Sequence, residues 1–377
     1  MTAHPPPVRY QALDEGFVVR GLGACSRVVV TDEGELVCTY VLRSGAGKPD
    51  YTPHQSRSYD GGQTWTAEGP VWPGLVGRAS ISVALSRTRG GDLLLYGTST
   101  RVDDGDETWW DGGRQALKQN DLIWARSSDA GGTWPEPDII PMPIPSAAEA
   151  PGPMTLTRGG RLVAVYAPYN TFDPSVAVDR NQIVLVKSDD DGRTWSHTSM
   201  LRFDDPEGGG AESWIVELAD RRLVGTAWNM SLATGRDEPI PFGLSSDGGD
   251  TWTTTRSTGI RGQATSLAPL PDGRLLLVYN QREQPDAGVW LAVAAPSDHD
   301  FGVQRIGPAW MAEQATRNTE DSGHDAWTDF SFGEPSVTLL PDGDVMVTLW
   351  CAQPSGTGIR YVRLAGESVW LDLRSST

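Results

Sequence analysis

Six places in the 377-residue sequence carry side chains that chemistry could use if the fold brought them to one point. They are Ala24 with Cys25, Arg78, Glu149, Glu212, Gln263 and Glu334, and each opens the same kind of passage: an apolar run, a Gly turn and a second apolar run. Three carboxylates, an arginine and an amide meeting in one cleft would favour proton transfer. Crowded like charges raise at least one pKa, which is what a general acid at neutral pH requires. His324 precedes the last passage closely enough to overhang the same mouth. Trp109, Trp110 and Trp214 stand off the repeat positions, and exposed indole faces stack on the C–H surfaces of sugar rings.

The elements that must position these groups are strands. The passages at 24–40, 78–96, 149–166, 212–228, 263–279 and 334–350 read as β-hairpins, with turns such as Asp272-Gly273 and Asp342-Gly343 between apolar strands. A second pattern interleaves with them: Ser58-x-Asp60-x-Gly62-x-Thr64-Trp65, Ser127-x-Asp129-x-Gly131-x-Thr133-Trp134, Ser188-x-Asp190-x-Gly192-x-Thr194-Trp195 and Ser245-x-Asp247-x-Gly249-x-Thr251-Trp252. In such a turn the Asp carboxylate accepts N–H bonds from its own loop, Gly takes the positive φ, and Trp packs back on the hairpin. These residues hold a fold and carry no chemistry. Hairpin plus box makes a four-stranded unit of roughly sixty residues that cannot bury its faces alone, and radial stacking of such units solves that problem. The fold class expected is therefore all-β: a six-bladed β-propeller with four Asp boxes, in one domain over residues 1–377. The fifth unit keeps only a degenerate box at 297–302, and the sixth ends in a plain strand at 360–364. That leaves residues 9–20 to supply an N-terminal strand that closes the ring. In a propeller the first strand of each blade lines the central channel, so the six chemical positions share one mouth.

Composition narrows the function. With 31 Lys and Arg against 49 Asp and Glu, the formal charge is −18. A chain this acidic gains no counterion-release energy from nucleic acid and is repelled by acidic membranes, so neither is expected as a partner. No run of about 18 apolar residues exists to span a bilayer. The start, MTAHPPPV, lacks the basic and apolar regions of a secretory signal, which points to the cytoplasm. Cys25, Cys38 and Cys351 are odd in number and widely spaced, so no disulfide framework is expected. No Cys/His spacing suits a metal, and no cofactor is implied.

The four boxes and six units together resemble the sialidase superfamily, the Asp-box or BNR-repeat propellers, over essentially the whole chain. The resemblance implies roles at several positions. Arg43, late in the first hairpin, matches a family arginine, Arg282 falls near an arginine of the triad that binds the sialic acid carboxylate, Asp50 matches the acid/base, and Glu212 in AESWIVEL matches the partner of the nucleophilic tyrosine. Three departures mark a divergent member. Ala24-Cys25-Ser26 stands where the family has the arginine of its Arg-Ile-Pro signature. Trp228-Asn229 stands where the fourth hairpin should end in an arginine, and Gly333-Glu334-Pro335 where the tyrosine should open the sixth inner strand.

One physical cause accounts for all three. A sialic acid carries a carboxylate on its anomeric carbon, so it needs an arginine triad and a neutral nucleophile; an ordinary aldose needs neither, and a carboxylate nucleophile then serves. The expected function is an exo-acting glycoside hydrolase on an oligosaccharide or glycoside without an anomeric carboxylate. Asp50 would be the acid/base and Glu334 the nucleophile, with Glu149 and Glu212 as the competing pair, similar to the two glutamates of arabinan-cleaving propellers. Arg43, Arg78, Trp214, Gln263, Arg282 and His324 are the expected substrate contacts. A true exo-sialidase is one alternative. A lyase on uronic acids is another, with His324 as base and Arg78 or Arg282 on the carboxylate. A non-catalytic carbohydrate-binding propeller is the third. The sequence leaves the oligomeric state open.

Overall fold

The computed structural model describes residues 4–205, 208–321 and 323–371. Strand β1 (Ala12–Arg20) is followed by β2 (Gly23–Val30), β3 (Leu36–Leu42), β4 (Thr52–Ser58) and β5 (Thr66–Pro70), the last four forming one antiparallel sheet. The next sheet takes β6 (Ala79–Arg87), β7 (Leu93–Arg101), β10 (Asp121–Ser127) and β11 (Asp138–Ile140); between them lie two short strands, β8 (Trp110–Asp111) and β9 (Ala116–Leu117). The third repeat gives β12 (Ala147–Glu149), β13 (Thr155–Leu156), β14 (Leu162–Thr171), β15 (Gln182–Ser188) and β16 (Ser196–Arg202). Then come β17 (Gly208–Glu217), β18 (Leu223–Ser231), β19 (Asp237–Ser245) and β20 (Arg256–Arg261), and β21 (Gln263–Pro269), β22 (Leu275–Gln281), β23 (Gly288–Ala294) and β24 (Val303–Met311). The last sheet joins β25 (Phe332–Leu339), β26 (Val345–Gln353), β27 (Gly356–Leu364) and β1, with Ala12 opposite Leu364 and Arg20 opposite Gly358.

The protein is an all-β propeller. Five of its sheets are regular four-stranded blades, and the third repeat departs from the equal units expected. Its inner strand is broken into β12 and β13 because Pro151 and Pro153 cannot donate to a ladder. Gly152 between them is required by close approach, since a Cβ there would lie 2.2 Å from the carbonyl oxygen of Ser213 on the next inner strand. The same sheet gains β8 and β9 from the preceding loop, with β9 running parallel to β14.

Adjacent inner strands pack on one another, β2 on β6 and β25, β21 on β17 and β25. The core lies between neighbouring sheets. Val29 and Val37 of the first, for example, meet Ile81, Val83, Leu85, Leu93 and Leu95 of the second; each such side chain contributes about 1.5–3 kcal/mol on burial. The four Ser-x-Asp turns bond alike. The Ser hydroxyl donates to Asp Oδ1 at 2.6–2.8 Å, and that carboxylate accepts the N–H and hydroxyl of the Thr four residues on. None of these box residues lines the cavity that Glu212 and Glu334 share.

Candidate active site

A single backbone irregularity, used four times, builds the site. Strands β2, β17, β21 and β25 lose register between Ala24 and Arg27, Ala211 and Trp214, Gln263 and Ser266, and Gly333 and Ser336. At the matching place in each bulge stand Cys25, Glu212, Ala264 and Glu334, with φ of 51°, 45°, 49° and 46°. A left-handed conformation in a residue with a Cβ costs on the order of 1 kcal/mol, and bulges of this kind re-aim a side chain. Cys25, Glu212 and Glu334 all line one cavity of about 170 Å³. Strand β6 keeps unbroken register and presents Ser80 and Ser82 to the same space, and Glu149 enters it from the end of β12.

The carboxyl groups are held by neutral donors. Glu149 Oε2 accepts the main-chain N–H of Glu212 at 2.7 Å. Glu334 Oε2 accepts the N–H of Cys25 at 2.8 Å, and its Oε1 accepts the thiol at 3.1 Å. Burial pushes Glu149 above the usual carboxylate range, and the charge of Glu334 adds to the effect. Glu212 is pushed well up by burial, then by Glu334 and Glu149. The opposing charges are Arg282, on the cavity wall, and Arg27 beneath it. Arg282 is engaged with Gln263 Oε1 and the Phe332 carbonyl, its guanidinium 3.7 Å from the Phe330 ring centroid. Arg43 donates to the Tyr51 hydroxyl and lies over the Tyr51 and Trp350 rings.

Aromatic residues from three separated segments roof this cavity. Trp109 stacks on Trp327 at 5.5 Å with 24° between planes and meets Tyr51 edge-on. Its Nε1 donates to the Lys48 carbonyl, and the Thr108 hydroxyl donates to that of Gly47. Trp110 contacts Trp327, His324 and Tyr169 edge-on, and His324 Nε2 lies 3.3 Å from the Tyr169 hydroxyl.

Arg43, Glu149, Glu212, Arg282, His324 and Glu334 thus line one cavity. Four other expected residues do not. Asp50 is exposed in the turn that precedes β4, its carboxylate accepting the Ser44 N–H at 2.9 Å, and the next residue, Tyr51, occupies the wall instead. Arg78 is exposed just before the straight strand β6, which has no bulge to turn its beginning inward. Trp214 is buried under Arg27, whose guanidinium carbon is 4.6 Å from the ring centroid, so no sugar reaches it. Gln263 is buried behind Arg282, linking it to the Asp237 carboxylate.

Three residues in the site escaped the sequence reading. Arg27 is buried and donates to the carbonyls of Pro151 at 2.7 Å and Glu334 at 3.3 Å, tying three inner strands together. A lone charge inside the apolar run Cys25 to Val30 was its signal. Tyr51 follows Asp50 directly. Asp237 accepts Trp228 Nε1 at 2.8 Å, and this part-buried pair stands near the place of an expected arginine. Among the described residues no group of three His, Cys, Asp or Glu side chains is placed to hold a metal ion, and no helix is long and apolar enough to cross a membrane.

Neither a family model nor any curated protein matches the sequence. Solved structures do match. One is an unknown-function protein from Dyadobacter fermentans, 20% identical with a TM-score of 0.73, covering 94% of this chain and 98% of that one. The NanB sialidase of Streptococcus pneumoniae is similar at 13% identity and a TM-score of 0.61, over 96% of this chain and 71% of that one. The chain shares its propeller fold with both. An α-L-arabinanase from Penicillium chrysogenum shares it too, at 13% identity and a TM-score of 0.64, over 95% of this chain and 99% of that one.

Proposed function

We propose that the chain is one six-bladed propeller, its ring closed by β1, that acts as an exo-glycoside hydrolase on a sugar without an anomeric carboxylate. The observation that carries this reading is the meeting of Glu212 and Glu334, at matching bulges of two inner strands, in one cavity with Glu149 and Arg282. Glu212 is the general acid. Burial and its two acidic neighbours keep it protonated, ready to protonate the leaving oxygen. Glu334, with both oxygens held as acceptors, is the nucleophile on the anomeric carbon. Glu149 holds the Glu212 main chain and adds to the pressure against its ionisation. Asp50, outside the cavity, has no part in this mechanism.

The substrate class follows from charge. Both guanidinium groups of the cavity are already engaged, Arg43 by Tyr51 and Arg282 by Gln263 and Phe332, while Lys118 is paired with Asp103 and Glu107. A sugar carboxylate would meet three acidic residues there, and the two arginines it could pair with already donate to neutral groups of the wall. The interlocked roof of Trp109 and Trp327 favours a pocket for a terminal sugar over an open groove.

The test is a panel of nitrophenyl glycosides of neutral pentoses and hexoses, with a sialoside included. Turnover of a neutral glycoside with net retention at the anomeric carbon, read by NMR, is the expected result. Turnover of the sialoside alone overturns the substrate class, an inverted product removes Glu334 as nucleophile, and sugar binding with no turnover replaces the enzyme by a binding module.

A further inference from the structure

Cys25 and Glu334 occupy matching bulge positions on adjacent inner strands, β2 and β25, although they are 309 residues apart in sequence. Their contact is two-pronged: the Cys25 N–H reaches Oε2 at 2.8 Å and the thiol reaches Oε1 at 3.1 Å. Sulfur also lies 3.0 Å from Ser82 Oγ. With the thiol hydrogen given to Glu334, the Ser82 hydroxyl is left to donate to sulfur. One small residue thereby satisfies both oxygens of the carboxylate through neutral donors, where an arginine would have neutralised its charge and dulled it as a nucleophile.

We propose that Cys25 is a positioning residue for Glu334, its N–H and S–H together fixing the plane of the carboxylate that attacks the sugar. The proposal rests on the glycosidase reading of the cavity. Cys25 is not itself the nucleophile. Burial and the neighbouring Glu334 charge push the thiol well up, so it remains a hydrogen-bond donor. The charged or titratable groups facing it are Glu334 and Arg27, with Arg43 further along the wall.

Two measurements decide the matter. The first is the rate at which methyl methanethiosulfonate modifies Cys25 in the intact protein, followed by peptide mass spectrometry, in wild type and Glu334→Gln. Removing the carboxylate charge relieves the thiol, so modification of Cys25 is expected to accelerate by about tenfold or more. Equal rates overturn the pairing. The second is turnover of the neutral nitrophenyl glycosides by Cys25→Ala and Cys25→Ser. Loss of a hydrogen bond to a charged group predicts a kcat about tenfold or more lower for Cys25→Ala at little-changed KM, with Cys25→Ser recovering most of it. An unchanged kcat in Cys25→Ala overturns the positioning role. If the wild type turns over no glycoside, the proposed function fails, and the Cys25–Glu334 pairing is then judged on the modification rates alone.

Discussion

The main-chain N–H of Glu212 points at the carboxylate of Glu149, 2.7 Å away, so the backbone of one acidic residue holds the side chain of another. Both carboxyls are raised above the usual value of 4.5, burial being the largest cause for each. The folded state therefore keeps protons that the unfolded chain releases, and stability falls as pH rises from about 4.5 through the raised values. Glu149→Gln keeps an acceptor for the N–H but does not ionise. It should be the more stable protein at pH 8, by on the order of 1 kcal/mol, and should match wild type near pH 4. Urea midpoints across that range check this; a variant that loses stability equally at both pH values would count against it.

The same substitution makes a kinetic prediction. Glu212 acts protonated, so kcat/KM falls on the alkaline side as it ionises. Glu149 is one of the causes that raise Glu212. Its removal should shift the alkaline limb of the pH profile toward acid, and a limb that stays in place would separate Glu149 from the acid.

Substitution of the two proposed reacting groups should differ sharply from substitution of their neighbour in the loop. Glu212→Gln and Glu334→Gln are expected to lower kcat by about 10²–10⁴-fold, whereas Asp50→Asn stays within about threefold of wild type. Comparable losses in all three would return Asp50 to the mechanism.

Trp109 joins the segment at 44–51 to the segment at 323–330 through one hydrogen bond and two ring contacts. Trp109→Ala opens the roof and removes a ring face. KM for small glycosides should rise about tenfold, with kcat less affected, and steady-state kinetics show which parameter moves.

The Ser-x-Asp turns serve stability alone. Asp129 accepts from Ser127 and twice from Thr133, and these bonds hold its carboxyl down at about 2, below the usual 3.8. Its contribution is present above pH 3.8 and is lost as pH falls toward 2. Asp129→Ala should lower the thermal midpoint at pH 7 by roughly 1–3 °C and leave turnover unchanged, the deficit shrinking in acid.

The sequence disclosed what local chemistry determines. Apolar runs around Gly turns, and Ser-Asp-Gly-Thr-Trp spacing, are short-range signals, and hairpins stand where they occur. Glu149, Glu212 and Glu334 were found because repeats align them. What alignment of repeats does not contain is the bulge: Cys25, Glu212 and Glu334, at φ near 45–50°, line the cavity, and Arg78, just before a strand without that device, does not. Trp214 and Gln263 illustrate a second gap. Gln263 opens a repeat and Trp214 stands two residues past the opening of another, yet a guanidinium from elsewhere in the chain, Arg282 or Arg27, covers each. The third sheet shows the limit of counting units, since Pro151 and Pro153 undo a strand whose neighbours remain intact.

Pairing of β1 with β27 sets Ala12 against Leu364. Strand β1 therefore keeps an unpaired edge until β27, far along the chain, has been made. Contacts of such sequence separation pay their loop-closure entropy before they are rewarded, and they form slowly. Cys25 and Glu334 lie on either side of the same late junction, on β2 and β25. The proposed nucleophile thus gains its orientation only when β2 and β25 meet, and appearance of activity during refolding would time that meeting.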